Sequence, residues 1–307
     1  MRGLRFGVVV AGAVIALLAA ATGRVPGSAV PMPGFVPAAN STIRPATVGP
    51  GATAGRQWLR PGTSWQWQID GNTIDETVLD HVSNRLKMYD VDLETTPATT
   101  IARLRAKGIY VVCYMETGGW EQYRSDANAF PARVRGGPVD GYPQERYLDI
   151  RQRAVLVPIM AARMDRARAK GCHGIEPDLD DTYTSTTGFP LTMADQVAYN
   201  TAIAALAHAR SMSIGLKNGA SPGGVFERAM VGITDWALNE SCNQFDECAG
   251  YAVFVAQHKP VFQVEYIDEG ATTVSFCPAD NAANYDGLLK ASSSSLGAQP
   301  RKACRLG

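Results

Sequence analysis

The stretch T-P-A-T-T-I-A-R-L-R-A-K-G-I-Y-V-V-C-Y-M-E-T-G-G, residues 96–119, decides the fold. Thr96 reads as an N-cap and Pro97 as the first helical residue, where a missing N–H leaves no bond unmade. Gly108 closes that helix. The run I-Y-V-V-C-Y (109–114) then has the length of a buried strand, and it exits on Met115-Glu116-Thr117-Gly118-Gly119. A helix that feeds straight into an apolar strand is one unit of a parallel α/β fold.

The unit recurs in both directions. Further strands are predicted at residues 65–69, 146–150, 174–177, 213–216, 236–239 and 261–266, with an eighth near 273–276. Between them lie helical stripes. Val157, Met160, Met164 and Ala167 share one face and end at Lys170-Gly171, and Pro158 is expected to hold the start of that helix near itself. Thr192 with Asp195 resembles a capping box ahead of Met193, Val197, Ala204 and Ala207. Repeated strand–helix alternation implies a parallel sheet. Closed on itself, it is a single-domain (β/α)8 TIM barrel, expected over residues 61–307. An open doubly wound sheet is the alternative, and no G-x-G-x-x-G opens any unit to support it.

Ahead of the barrel, M-R-G-L-R-F-G-V-V-V-A-G-A-V-I-A-L-L-A-A-A (1–21) pairs a basic start with an apolar run and small exit residues, the pattern of a secretory signal peptide. An uncleaved membrane anchor is the rival reading. Residues 22–60 are rich in Pro, Gly, Ala, Ser and Thr, and are expected to form a flexible linker. Export makes disulfides natural for the six cysteines. Spacing favours Cys242 with Cys248 and Cys277 with Cys304, and leaves Cys113 and Cys172 paired or as buried thiols. Zinc at Cys242 and Cys248 lacks an accompanying C-x-x-C or H-x-x-x-H. The formal net charge is zero, which removes electrostatic support for a nucleic-acid partner. No cofactor or metal is expected, no membrane contact after signal cleavage, and a monomer.

In a barrel the chemistry gathers at the C-terminal strand ends. Those ends carry Glu116, then Glu176 and Asp178, then Asp180 and Asp181, then Lys217-Asn218, Glu240 and Glu265. Glu176 and Asp178 have period-2 spacing and so share one side of a strand, with Glu176 toward the axis and Asp178 at the mouth. Glu240 leaves the sheet two strands further round. Carboxylates converging from different strands are what glycoside hydrolysis needs, one as nucleophile or base and one as proton donor. D-L-D-D lacks the glycine and terminal glutamate of a calcium loop. There is no G-x-S-x-G, H-E-x-x-H or phosphate-binding loop, and the four histidines read as structural. Trp67, Tyr114 and Tyr183 belong to a set of aromatics suited to stacking sugar rings.

Taken in order, S-W-Q-W-Q-I-D-G (64–71), Y-D-V-D-L (89–93), V-C-Y-M-E-T-G-G-W-E-Q-Y-R-S-D (112–126), E-R-Y-L-D-I-R (145–151), K-G-C-H-G-I-E-P-D-L-D-D-T-Y (170–183), G-L-K-N (215–218), N-E-S-C-N-Q-F-D-E-C (239–248) and V-E-Y (264–266) resemble glycoside hydrolase family 114. The resemblance implies a (β/α)8 barrel and endo-α-1,4-polygalactosaminidase activity. Its catalytic pair falls on Asp178 and Glu240. Glu116, Glu176, Asp181, Tyr183, Lys217, Asn218, Glu265, Trp67 and Tyr114 are expected around the substrate. That substrate would be an extracellular, galactosaminogalactan-like polysaccharide, cationic when deacetylated, and an acid-lined mouth would concentrate it. Two positions depart from the family pattern: Leu179 stands for an Asn bordering the mouth, and His173 for an Asp at a strand start. A non-catalytic sugar-binding barrel and a hydrolase of another aminosugar or a neutral glycan are the competing functions.

Overall fold

The computed structural model describes residues 59–70, 73–79 and 86–305; the segment expected as signal peptide, and all but the last two residues of the expected linker, lie outside them. The strands are β1 (Trp65–Gln68), β2 (Met88–Asp92), β3 (Tyr110–Glu116), β4 (Gly119–Glu121), β5 (Arg135–Val139), β6 (Tyr142–Leu148), β7 (Gly174–Asp178), β8 (Ser213–Lys217), β9 (Trp236–Glu240), β10 (Val261–Tyr266), β11 (Asp286–Lys290) and β12 (Lys302–Ala303). The helices are α1 (Ala98–Ala106), α2 (Arg153–Lys170), α3 (Met193–Ala209), α4 (Val225–Met230), α5 (Cys242–Phe245), α6 (Ala252–Ala256) and α7 (Thr273–Ala283). None of the described helices is long and apolar enough to cross a membrane.

Eight strands, β1-β2-β3-β7-β8-β9-β10-β11, follow one another as parallel neighbours. The eighth comes back to the first through side chains. Trp65 Nε1 donates to the Asp286 carbonyl at 2.8 Å, the Gly62 amide to Asp286 Oδ1 at 3.0 Å, and Lys290 Nζ to Gln66 Oε1 at 3.4 Å. The C-terminal segment fills the same seam: Gln66 Nε2 donates to the Ala298 carbonyl (2.8 Å) and Arg301 Nε to that of Trp65 (2.9 Å). β12 meanwhile pairs antiparallel with β11 and covers its edge. The sheet is a (β/α)8 barrel.

Two expected strands sit elsewhere, and one barrel strand lies where none was expected. Residues 146–150 are not a barrel strand. Most of them belong to β6, the centre of a three-stranded antiparallel sheet, β4-β6-β5, inserted between β3 and α2. The second barrel strand is β2, M-Y-D-V-D, whose aspartates at 90 and 92 hide its strand character from a search for apolar runs. Residues 273–276, T-V-S-F, open α7 instead of forming the eighth strand. Thr272 caps that helix, accepting from the Ser275 amide while Ser275 Oγ accepts from the Thr272 amide. The true eighth strand is D-G-L-L-K. α2 also starts five residues ahead of Pro158, which therefore lies inside it. The capping box of Thr192 and Asp195 opens α3 as expected.

Alternation along each strand sorts the core into two layers. Trp65, Met88, Tyr110, Trp236, Phe262 and Leu288 fill the barrel, while Tyr89, Val111, Ile175 and Ile214 meet Leu104, Leu156, Met160 and Tyr199 of the outer helices. Gly215 is required here, because a Cβ at that position would lie 2.3 Å from the Trp236 ring. Disulfides join Cys242–Cys248 and Cys277–Cys304, and the remaining two cysteines pair as Cys113–Cys172. That third bond ties β3 to the start of β7, the neighbouring strands that deliver Glu116 and Asp178.

Candidate active site

β8 carries Ser213, Gly215 and Lys217 on its inward face, so the strand delivers an ammonium to the barrel axis. Lys217 is 2 % exposed. Its Nζ lies 2.9 Å from Glu176 Oε1, 3.3 Å from Asp178 Oδ1 and 3.2 Å from Glu240 Oε2, and 4.8 Å from the centre of the Trp67 ring. Burial opposes the charge, but the carboxylates of Asp178, Glu176 and Glu240 overcome it and hold the lysine well above its usual value. The two distances from one nitrogen place the Asp178 and Glu240 oxygens within about 6.5 Å of each other.

Asp178 and Glu240 end the fourth and sixth barrel strands, and each is dressed with donors. Asp178 Oδ2 accepts from the Tyr114 hydroxyl (2.8 Å), and its Oδ1 from the Leu179 amide (3.0 Å). Glu240 accepts from the Tyr266 hydroxyl and from Asn218 Nδ2 (3.1 Å), while its own amide donates to Asn218 Oδ1 at 2.9 Å. The backbone of Asp178 is pinned as well. Thr117 and Gly118 amides and the Thr117 hydroxyl all donate to its carbonyl. Gly118 permits this approach, since a Cβ there would lie 1.9 Å from the Leu179 carbonyl oxygen. These side chains are both about one-fifth exposed, unlike the fully buried Glu176. Of the three acids on Lys217, they are the two that open to the cleft.

A supporting layer lies beneath. Glu176 Oε2 accepts from Trp67 Nε1 at 2.9 Å, and the wholly buried Asp90 sits beside it. Burial first, then the neighbouring Glu176, pushes Asp90 well above the carboxylate range, so that it holds its proton. Glu116, 3 % exposed, is pushed up in the same way, by burial and then by Asp178. The Tyr114 hydroxyl stands 3.0 Å from Glu116 Oε1 as well as 2.8 Å from Asp178 Oδ2. One hydroxyl hydrogen serves only one of them, and a protonated Glu116 resolves the contact by donating to Tyr114, which donates to Asp178.

These groups open into a cleft of about 450 Å³. Trp67, Tyr114, Glu116, Lys217 and Asn218, all expected around the substrate, line it with Asp178, Glu240 and Leu179, and Glu176 lies just below. Three expected residues do not reach it. Glu265 alternates with the inward Val264 and Tyr266, so it faces away from the axis and accepts from the Asn243 amide (2.8 Å) and Gln263 Nε2 (2.5 Å). Asp181 turns to the Gly219 amide at 3.0 Å, with burial raising it to about 6. Tyr183 packs on Phe226, ring centres 5.1 Å apart. His173 accepts from the Val111 amide and stacks on Tyr110 at the opposite end of the strands. The cleft also contains residues the sequence reading did not assign: Asp70, Asp92, Tyr142 and Glu145. Tyr142 and Glu145 come from the inserted sheet, whose middle strand was read as part of the barrel.

Known proteins of this build can now be compared. The family model for glycoside-hydrolase family GH114 matches residues 49–305. The crystal structure of Aspergillus fumigatus Ega3 in complex with galactosamine is 33 % identical, with a TM-score of 0.73 over 83 % of this chain and 100 % of that one. The glycoside hydrolase domain of PelA from Pseudomonas aeruginosa shares the fold at 12 % identity, TM-score 0.55, over 75 % of this chain and 95 % of that domain. A GH27 β-L-arabinopyranosidase from Geobacillus stearothermophilus shares it at 9 % identity, TM-score 0.53, over 78 % of this chain and 75 % of that one. No curated protein sequence matches the chain. A barrel with acids ringed about one lysine at its mouth, matched along nearly its whole described length, belongs to glycoside-hydrolase family GH114.

Proposed function

We propose that the chain is an exported hydrolase that cleaves α-1,4-linked galactosamine-containing polysaccharide, with Asp178 and Glu240 as the reacting carboxylates. One attacks the anomeric carbon, and the other gives its proton to the leaving oxygen. The observation that carries this reading is the pair's shared partner: both acids, each about one-fifth exposed, lie against the one buried Lys217 Nζ at the floor of the cleft. Their separation, at most about 6.5 Å between the two oxygens on Lys217, favours retention of configuration over the wider spacing of inverting enzymes. Glu116 and Tyr114 orient Asp178, while Asn218 and Tyr266 orient Glu240.

The substrate class rests on charge and on kinship. Eight carboxylates line the cleft against Lys217 and Arg124, an imbalance that suits a polycation. The 33 % identical Ega3 was crystallised with galactosamine. Export is supported by the signal-like N-terminus and three disulfides.

Reducing-end release from deacetylated galactosaminogalactan, measured beside chitosan and neutral α-glycans, tests the substrate. Activity confined to chitosan or neutral glycans would refute it and leave a hydrolase of another specificity. Glu240→Gln should lower turnover by at least about a thousand-fold with an unchanged melting curve. Full turnover by that variant would remove Glu240 from the chemistry, and the anomer first released, followed by NMR, reports retention directly.

A further inference from the structure

The inserted sheet β4-β6-β5 forms one wall of the cleft and contributes nothing to the carboxylate pair. It nevertheless holds an arrangement that costs stability unless a cation is present. Glu121 on β4 and Glu145 on β6 are directly opposed in the antiparallel ladder, where like charges destabilise. Arg124 forms an ion pair with only one of them and acts on Glu145 from a distance. Its Nε takes Glu121 Oε2 at 2.7 Å and its Nη1 takes Asp92 Oδ2 at 2.7 Å. Glu145 has no cation within ion-pair distance among the described residues.

Glu145 is 8 % exposed and lines the cavity. Its Oε1 accepts the Tyr123 hydroxyl at 2.7 Å, a group that also stands 3.0 Å from Glu121 Oε1 and has one hydrogen to give. Its Oε2 has no partner among the described residues. Glu116 Oε2, in the same cavity, is buried and likewise unpartnered. Burial, and then the charge of Asp178, raise the Glu145 carboxyl above its usual range despite the Tyr123 hydroxyl and the more distant Arg124. Beside these acids, Tyr123 and Tyr142 present rings that are 59 % and 49 % exposed, an unusual display for tyrosines in a cavity wall.

We propose that this wall is a separate sugar subsite, in which Glu145 receives the primary ammonium of an amino-sugar unit distant from the bond being cut and Tyr142 stacks on its ring. The inference rests on the cationic polysaccharide reading and adds to it a residue that distinguishes free amine from N-acetyl. An acetamide carries no charge for Glu145 to neutralise, so it forfeits the charge-assisted bond and leaves a buried carboxylate uncompensated.

The test is calorimetric affinity in the Glu240→Gln background, using α-1,4-galactosamine oligomers of one length, fully deacetylated or fully N-acetylated. Adding Glu145→Gln should weaken the deacetylated oligomer about ten-fold and cause no loss for the acetylated one, whose acetamide no longer meets a buried charge. Unchanged affinity for both, or an equal loss for both, overturns the assignment. Tyr142→Ala, at a half-exposed ring that the fold does not need, should weaken both oligomers alike. If it alters neither, the wall is not a sugar site. Failure of the parent reading looks different: the unmutated protein would then release no reducing ends from the deacetylated polymer.

Discussion

The lower and upper halves of the barrel interior are built by the same strands and do opposite things. Below, Trp65 and Trp236 pack on Phe262 with ring centres 5.0 and 5.8 Å away, and Gly215 makes room for Trp236. Two residues further along those strands the side chains become Trp67, Leu238 and Lys217, and two more bring Glu240. The step of two keeps the facing and changes the content. In the lower half burial yields packing energy. In the upper half the same burial strips water from Glu176 and Lys217, so that each ion depends on its neighbours for its charge, and it drives Asp90 toward its neutral form. One fold thus confines stability and reactivity to adjacent layers.

Removing the cation from the upper layer should produce the largest effect. Lys217→Met keeps much of the volume but leaves Glu176, Asp178 and Glu240 facing one another without an ammonium. Stability should fall by about 3–5 kcal/mol, as for other broken buried pairs. Turnover should drop by at least about a hundred-fold, since both acids proposed to react lose a fixed partner. Denaturant unfolding and reducing-end assays read the two separately. A variant with native stability and native turnover would mean that the charge cluster is incidental.

Trp236→Ala asks the converse question of the lower layer. Truncating this fully buried ring opens a cavity, with an expected loss of about 3–5 kcal/mol. Its Nε1 donates only to Ser213 Oγ, far along the strand from Glu240. The folded fraction should therefore keep its kcat within about two-fold, a difference too small to implicate the transition state. A large fall in kcat at full folding would show that the two layers are mechanically coupled.

The upper layer was the more legible of the two from sequence. Acids at strand ends identify themselves once a strand is located, and Glu176, Asp178, Lys217 and Glu240 follow strands that are apolar or glycine-rich. The same rule misplaces Glu265, because Tyr266 and Val264 face inward and strand alternation forces Glu265 outward. β2 escaped notice because Asp90 and Asp92, both buried, make a core strand look polar. The wall residues Tyr142 and Glu145 were hidden by a different ambiguity. A short run such as R-Y-L-D-I has strand character whether its partners are parallel or antiparallel, and only tertiary pairing with β4 and β5 separates the cases. Cys113 and Cys172 also resisted pairing by spacing, since their contact depends on β3 lying beside β7.

The smallest expected effect lies at the boundary of the upper layer, where the chain departs from its family's pattern. Leu179 has φ = 53°, in the left-handed region, directly after Asp178. That conformation costs an ordinary L-residue about 1–2 kcal/mol, and Asn bears it better because its short side chain bonds locally. The turn itself is held from outside, by the Leu179 amide on Asp178 Oδ1 and by the close approach of its carbonyl to Gly118. Leu179→Asn should therefore preserve the backbone and relieve part of the strain. A gain of about 1 kcal/mol, or roughly 2–4 °C in melting temperature for a domain of this size, is the expected result. Because Leu179 lines the cleft beside Asp178, the substitution should also shift KM more than kcat. A fall in melting temperature would show instead that the packing of the Leu179 side chain outweighs the backbone strain, and that the leucine is there for the stability of the mouth.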